Sequence, residues 1–512
     1  MTDILTRPRS EARVDVRSHE ESPGVDPTPR RSWTPDAAAM LSLLCGLLFL
    51  LPARLVVPGL GAAGRPANIL GVALFALWCL GRLVPGLTSR RPQPLHWILG
   101  AFVGFMMLSW WLAYARGVQP AEGRSAGRYV IELVSLVGMA LTAADGLFTR
   151  RRLDTVLVRL CYWAGVMAAF GTFEFFTRIN AAAYIKIPGL QLNHDLTGVA
   201  HRGGGGYNGN LFARVAGTAL HYIEFGAVLS MCLPIALHYA IYAKPGRQRK
   251  FRWVLFGLLF MNLPFAMSRS AVVGLAVVAI TMLTVWARPM LMRVGIGFVL
   301  ALGAFKVAVP GLIGTIRALF TNLSTDPSIQ GRTSDYAAIT PLIHARPWFG
   351  RGGGTYIPDL YRVLDNQYLL TLLEWGLIGL MIMIIVFLSP VFMGRAVRRQ
   401  APDDEARHLG QSLMAAALVG VVLSGTFDSL SFPTFASTFF IIIGVTAALW
   451  RLTVVERQPR YATHTPSFAV MRQPFDVGRL LPETARKYPS RRVPAAPVEP
   501  HRPRGELNRP DE

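Results

Sequence analysis

Read along its length, the chain alternates between long apolar runs and short polar breaks. Most runs reach about 18 residues or more, the length a helix needs to cross a hydrocarbon core about 30 Å thick. Twelve runs stand out, at roughly 37–58, 67–84, 95–115, 128–148, 153–177, 218–243, 251–267, 270–287, 290–309, 366–392, 409–427 and 434–451. The pair at 251–267 and 270–287 reads as two elements. One helix over that stretch would exceed about 50 Å at 1.5 Å per residue, and Pro264 with Ser268-Arg269-Ser270 marks a turn between them. The pattern predicts an all-α fold: a polytopic integral membrane helical bundle of about 12 transmembrane helices.

The ends of the chain break this pattern. Residues 1–36 and 455–512 are polar and Pro-punctuated, a composition that cannot bury a core and is expected to be disordered. The first apolar run begins near Ala37, too late for a cleavable signal peptide. The expected organisation is therefore a tail over 1–36, a transmembrane domain over 37–454 and a second tail over 455–512. Two polar segments inside the domain are long. One runs over about 178–217 and holds Gly203–Gly206; the other, over 310–365, holds Gly352–Gly354. Long ordered loops in compact proteins are usually functional, and 310–365 is expected to be a large extracytoplasmic loop forming a lid. Neither glycine run is a phosphate loop, because no Lys-Ser/Thr follows.

Charge fixes an orientation. Of the 512 residues, 52% are hydrophobic and 16% charged, with a net charge of +22; a soluble chain carries about 25% charged residues. With the N-terminus in the cytoplasm and the spans alternating, the inside loops carry Arg82, Arg90 and Arg91; Arg150–Arg152; Lys244, Arg247, Arg249, Lys250 and Arg252; Arg288 and Arg293; and Arg395, Arg398, Arg399 and Arg407. That is the distribution the positive-inside rule asks for. It predicts a multi-pass protein of the cytoplasmic (inner) membrane with both termini cytoplasmic. The positive charge thus has a membrane explanation, and no folded basic module points to nucleic acid. The four cysteines all lie in apolar runs without metal-ligand spacing, so neither a zinc site nor a disulfide framework is expected.

Against that background three arginines fall on the face where base is otherwise thinned. Arg214 stands just before the sixth run, Arg269 in the short turn between the seventh and eighth, and Arg332 in the largest loop. A guanidinium matches phosphate oxygens bidentately and stays protonated at any relevant pH. Interfacial arginines also snorkel to headgroups without further role, but Arg269 is wedged in a tight turn where an anchor gains little. His221 and Glu224 stand one turn apart at the start of the sixth run, and Glu374 lies inside the tenth. An intramembrane carboxylate is a functional candidate or the partner of a neighbouring arginine.

The segment from 331 onward reads Gly331-Arg332-Thr333-Ser334-Asp335-Tyr336, then Arg346-Pro347-Trp348-Phe349-Gly350-Arg351-Gly352, then Asp365-Asn366-Gln367-Tyr368-Leu369, then Glu374-Trp375-Gly376-Leu377-Ile378-Gly379. In order and spacing this resembles the O-antigen ligase/polymerase family of membrane glycosyltransferases. The family's pattern has an Arg and Tyr, a Pro-x-x-Gly-x-Gly, a His-Asn-x-Tyr-Leu and a Glu-x-Gly-hydrophobic-hydrophobic-Gly. Arg214 to His221 and Ser268-Arg269-Ser270-Ala271 resemble its upstream pieces, and the resemblance covers about residues 205–390. It departs from the pattern where Asp365 replaces the family's His, and where Tyr222-Ile223 replaces Pro-Asn. An aspartate accepts a proton but cannot act as a cation toward phosphate.

The resemblance implies transfer or polymerisation of a glycan from an undecaprenyl-diphosphate-linked donor onto an acceptor hydroxyl of a glycan, lipid or protein, at the outer face of the membrane. It implies catalytic roles for Arg214, Arg269, Arg332, Asp365 and His221, and substrate contacts for Tyr336, Asn366, Tyr368 and Glu374. No cofactor or metal is called for. A transporter or flippase for a polyprenyl-linked glycan or other amphipathic solute is the alternative of another class, although no internal repeat or paired broken helices speak for it.

Overall fold

The computed structural model describes residues 36–83, 93–193, 214–286, 288–321 and 327–455. The expected disordered tails and the Gly203–Gly206 run lie outside the described residues, apart from Asp36 and Val455 at the tails' inner edges. Of the described chain 77% is helical, and each of the twelve apolar runs overlaps a helix. These are α1 (Ala37–Leu50), α2 (Pro66–Leu83), α3 (Pro94–Ala115), α4 (Pro120–Gly146), α5 (Arg150–Thr177), α6 (Tyr222–Ile241), α7 (Arg247–Phe265), α8 (Arg269–Leu283), α9 (Arg288–Ala308), α12 (Gln367–Gln400), α13 (Asp404–Leu423) and α14 (Pro433–Trp450). Among the described residues eight helices are long and apolar enough to cross a membrane: α2 to α6 and α12 to α14. Helices α1 and α8 are shorter apolar helices.

Local chemistry explains where the helices start. Asp36, Thr149 and Asp403 accept backbone N–H groups in the first turns of α1, α5 and α13, the donors a helix N-terminus leaves unsatisfied. Proline opens α3, α4 and α14, where its missing N–H costs nothing. Helices α6 and α14 form the centre of the bundle and are buried along nearly their whole length, as a helix apolar all round must be. Helix α14 lies against α4 and α12, and α6 against α7, α8 and α13. Close approaches use small residues. Gly71 of α2 faces Gly138 of α4, and Gly394 of α12 faces Gly410 of α13, the contacts that let helix backbones pack where lipid offers no hydrophobic drive.

The structure departs from the expected pattern in two places. The first run, read to residue 58, ends as a helix at Leu50. Beyond Pro52, Leu55 and Val56 form a short strand paired antiparallel with Gln191 and Leu192. The 310–365 segment, expected as a loop, contains two helices, α10 (Leu312–Thr321) and α11 (Pro327–Ala345). Its Gly, Pro and Ser content reads as loop, but tertiary packing overrides that weak local preference. Ile339 of α11 joins Tyr356, Leu364 and Leu373 in a small core of its own, separate from the main one.

Candidate functional site at one end of the bundle

The turn before α6 is held from three sides. A Glu174 carboxylate oxygen near the end of α5 accepts from the Ala216 and Gly217 N–H groups at 3.1 and 2.8 Å. The Thr218 hydroxyl donates to the Phe49 carbonyl at 2.6 Å, and Ala53 N–H donates back to Thr218 at 2.9 Å. Gly217 has φ +57, and a Cβ there would collide with the backbone of α5; only glycine fits. Arg214 enters this turn half-buried. Its Nη1 donates to the Tyr222 hydroxyl at 2.6 Å, and its guanidinium lies 4.8 Å from that ring's centroid. One bond uses one of its five N–H donors.

Val215 N–H donates to the Phe265 carbonyl at 3.4 Å, which sets this turn against the one between α7 and α8. Here the chain reverses over Ala266–Ser268, with Met267 at φ 44, a conformation uncommon for a residue with a Cβ. Arg269 is the first residue of α8 and is half-buried. The expected turn between two helices is thus present, and Pro264 lies inside the last turn of α7 rather than beyond it.

Two further segments reach the same end. The Ser270 hydroxyl lies 3.0 Å from that of Thr426, in the turn after α13. Gln367 N–H donates to the Ser424 carbonyl at 2.9 Å and to Phe427 at 3.2 Å, while its side-chain carbonyl accepts from Leu430 N–H at 2.8 Å. Asn366 caps α12 through the Leu369 N–H at 3.1 Å. Asp365 precedes it, half-buried. Tyr368 donates to the Val421 carbonyl at 2.6 Å. Glu224, fully buried, accepts from Leu220 N–H at 2.7 Å with one oxygen. With the other it accepts from Thr434 and Phe435 N–H at 2.6 and 3.1 Å, capping α14.

His221 caps α6 and is buried; its Nδ1 accepts from Ile223 N–H at 3.3 Å. A neutral imidazole that accepts at Nδ1 carries its proton on Nε2, so His221 presents a donor. Its ring lies 6.0 Å from that of Phe432. Arg214, His221, Arg269, Asp365, Asn366 and Tyr368, from three distant stretches of sequence, therefore stand at one end of the bundle. Arg332 lies on α11, but its side chain is outside the described residues, and Tyr336 is exposed on the same helix. The residues that sequence reasoning missed are chiefly Glu174 and Gln367. Glu174, a carboxylate amid Phe173, Phe175 and Phe176, carried a signal, since a charge inside an apolar helix seldom stands without a partner.

Glu374 belongs to a neighbouring arrangement. Helix α12 is interrupted at Gly376, whose φ is 67 and ψ −168. An interruption frees carbonyls on one side and N–H groups on the other, and both need partners inside a membrane. The segment 347–356 supplies them. Arg351 and Gly352 N–H donate to the Leu373 and Glu374 carbonyls at 3.1 and 2.7 Å. Leu377 and Ile378 N–H donate to the Pro347 and Trp348 carbonyls at 2.8 and 3.3 Å. The Glu374 carboxylate accepts from Tyr356 N–H at 3.0 Å. The Pro-x-x-Gly-x-Gly and Glu-x-Gly pieces of the sequence are two sides of one hydrogen-bonded unit.

The opposite end is basic. Arg150 pairs with Asp154 at 2.9 Å and approaches Glu405 at 3.8 Å. Arg252 donates to the Tyr239 carbonyl at 3.2 Å, and Arg407 to Asp404 at 3.2 Å.

Fold and site together define a multi-pass helical membrane protein with a polar, arginine-bearing end. Residues 254–384, about a quarter of the chain, match the family model described as O-antigen ligase. That match supports assignment to the O-antigen ligase family, in agreement with the resemblance drawn from the motifs, and points to a membrane glycan-ligating enzyme of glycosyltransferase type. In that family the partners are a polyprenyl-linked glycan and an acceptor. No curated protein matches the chain.

Proposed function

We propose that the protein transfers or polymerises a glycan from an undecaprenyl-diphosphate-linked donor onto an acceptor hydroxyl at the outer face of the cytoplasmic membrane. The twelve helices α1 to α9 and α12 to α14 are its spans, and both termini are cytoplasmic. The basic end holding Arg150, Arg252 and Arg407 faces the cytoplasm, as the positive-inside rule requires. The observation that carries the reading is the convergence of Arg214, Arg269 and Asp365 at the other end of the bundle, in a chain whose residues 254–384 match O-antigen ligase.

The acceptor oxygen attacks the anomeric carbon. The bond to the diphosphate oxygen breaks, and its electron pair leaves on the lipid diphosphate. Negative charge then grows where Arg214 and Arg269 present fixed N–H donors, which is where preorganised charge lowers a barrier most. Arg332 is assigned to the same task. Asp365 takes the hydroxyl proton. His221, a donor at Nε2, orients the acceptor or holds a diphosphate oxygen. Tyr336, Asn366, Tyr368 and Glu374 shape the surrounding substrate path. This scheme calls for no metal.

The test is release of free polyprenyl diphosphate by the full chain in nanodiscs, given a defined lipid-linked glycan and a panel of acceptors. Release that requires both acceptor and Arg269 is expected. An Arg269→Ala variant that folds and keeps full activity, or donor crossing a liposome bilayer without release, overturns the reading.

A further inference from the structure

A second cluster at the same end lies outside this scheme. Glu122, in the first turn of α4, is buried, and its carboxylate accepts from Arg351 Nη2 at 2.9 Å and from the Tyr361 hydroxyl. The Arg351 guanidinium also donates to that hydroxyl at 2.6 Å and sits 4.4 Å from the Tyr361 ring centroid. Tyr361 in turn stacks on Tyr356, with centroids 5.0 Å apart and planes 11° from parallel. Arg116 follows α3, whose Ala113 lies against Gly352, and Arg346 follows α11, its carbonyl accepting from Gly350 N–H at 3.1 Å, so both stand beside Arg351. Burial pushes the Arg116 guanidinium down from its ordinary value, and repulsion from Arg346 and Arg351 adds to this.

The charge does not balance. Arg116, Arg346 and Arg351 face Glu122, which Arg351 takes; Glu374 on the other side of Arg351 is buried and holds the Tyr356 N–H, and Asp335 pairs with Arg362 at 2.8 Å, so cations remain in excess. Arg116 and Arg346 form no ion pair with any carboxylate among the described residues. A purely structural bridge needs one cation, and two more repel it and each other at a cost that an arriving anion reverses. Arg346 and Tyr361 are exposed, so the cluster is open to solvent. The segment bearing Arg351 is fixed by the hydrogen bonds across the α12 interruption, which preorganises the site. Guanidinium groups match carboxylate and phosphate oxygens bidentately, and the exposed Tyr361 ring, backed by the buried Tyr356, offers the apolar C–H face of a pyranose a surface beside them.

We propose that Arg116, Arg346 and Arg351, with the Tyr356–Tyr361 stack, form a subsite for an acidic saccharide, one bearing a carboxylate or phosphate. The proposal deepens the glycosyltransferase reading, because it names the chemical class of glycan held beside the transfer site.

The test is binding without turnover. Full-length protein in nanodiscs of zwitterionic lipid is titrated with trigalacturonate and with the neutral maltotriose, at low and high salt. Trigalacturonate is expected to bind at least about tenfold more tightly than maltotriose and to weaken with salt. Arg116→Gln/Arg346→Gln is expected to weaken it by about tenfold or more, since each charge-assisted bond is worth roughly a decade in affinity. Arg346→Gln alone, a change at an exposed position, is expected to show part of that loss. Equal binding of the two sugars, or unchanged affinity in the variants, overturns the proposal. So does a third outcome: no sugar bound, but phosphatidylglycerol retained in an Arg116- and Arg346-dependent way by native mass spectrometry, which makes this a lipid headgroup site. The transfer reading is tested separately through Arg269, so either idea can fail while the other stands.

Discussion

Replacing Gly376 by Ala tests the account of the interrupted helix. With φ 67 and ψ −168 the residue occupies a region that is essentially glycine's alone. An added Cβ would fall on the Trp348 carbonyl group and the Phe349 nitrogen, which are backbone and cannot swing aside. Strain of this kind costs about 1–3 kcal/mol. Relieving it pushes the 347–356 segment away and gives up the bonds from Leu377 to Pro347 and Ile378 to Trp348, each worth about 0.5–1.5 kcal/mol. The total is about 2–6 kcal/mol, a large share of a typical stability. The control is Gly257→Ala in α7, where a Cβ meets open space and helix propensity favours alanine by about 1 kcal/mol. Both variants are followed in detergent by thermal unfolding and by hydrogen exchange. Gly376→Ala is expected to unfold at lower temperature and to raise exchange in 347–356 and 373–378 by about 30-fold or more. Gly257→Ala is expected to match or exceed the parent. The reasoning fails if Gly376→Ala behaves like Gly257→Ala in both assays.

Three further outcomes are expected. Asp365→Asn keeps the shape but loses the base, so transfer should fall about 10²–10⁴-fold while donor binding persists; undiminished turnover would move the proton to another group. Glu224→Ala leaves the Leu220, Thr434 and Phe435 N–H groups without their acceptor, a loss of about 3 kcal/mol or more. Thermal unfolding should show it, and Glu224→Gln should recover part of it. Transfer should survive exhaustive EDTA treatment, because guanidinium groups neutralise the leaving diphosphate in this scheme; loss of activity restored by a divalent cation would refute that.

The helices were legible because the solvent wrote them. Runs long enough to span hydrocarbon stand out in sequence, and the runs at 67–84 and 95–115 agree with α2 and α3 to within one residue at each end. The polar breaks were harder. Gly331 to Ala345 looks like loop by composition, yet it is helical because Ile339 finds Tyr356, Leu364 and Leu373 to pack against, and that long-range contact leaves no local mark. The convergence of Arg214 and Arg269 was foreshadowed by topology, since Arg214 lies in the turn before α6 and Arg269 opens α8, two helices that start from the same end of the bundle. The work of Glu174 and Glu224 was not. Their apolar surroundings signal that each has a partner, but the N–H groups they serve lie 42 and 210 residues away, and nothing nearby says which. Gly376 stood in the Glu-x-Gly piece of the resemblance, but its backbone role needed the segment answering its interruption to be seen beside it.

The unit formed by 347–356 and the break in α12 also sets where this chain tolerates a change of length. Four backbone bonds tie residues 347, 348, 351 and 352 to residues 377, 378, 373 and 374 in fixed register. One residue inserted between Pro347 and Gly352 shifts one half of the set against the other, so both halves cannot be satisfied together. The stretch 357–363, by contrast, is mostly exposed or half-buried and can lengthen without touching that register. Among homologous chains, insertions and deletions should therefore gather after residue 356 and be absent between 347 and 352.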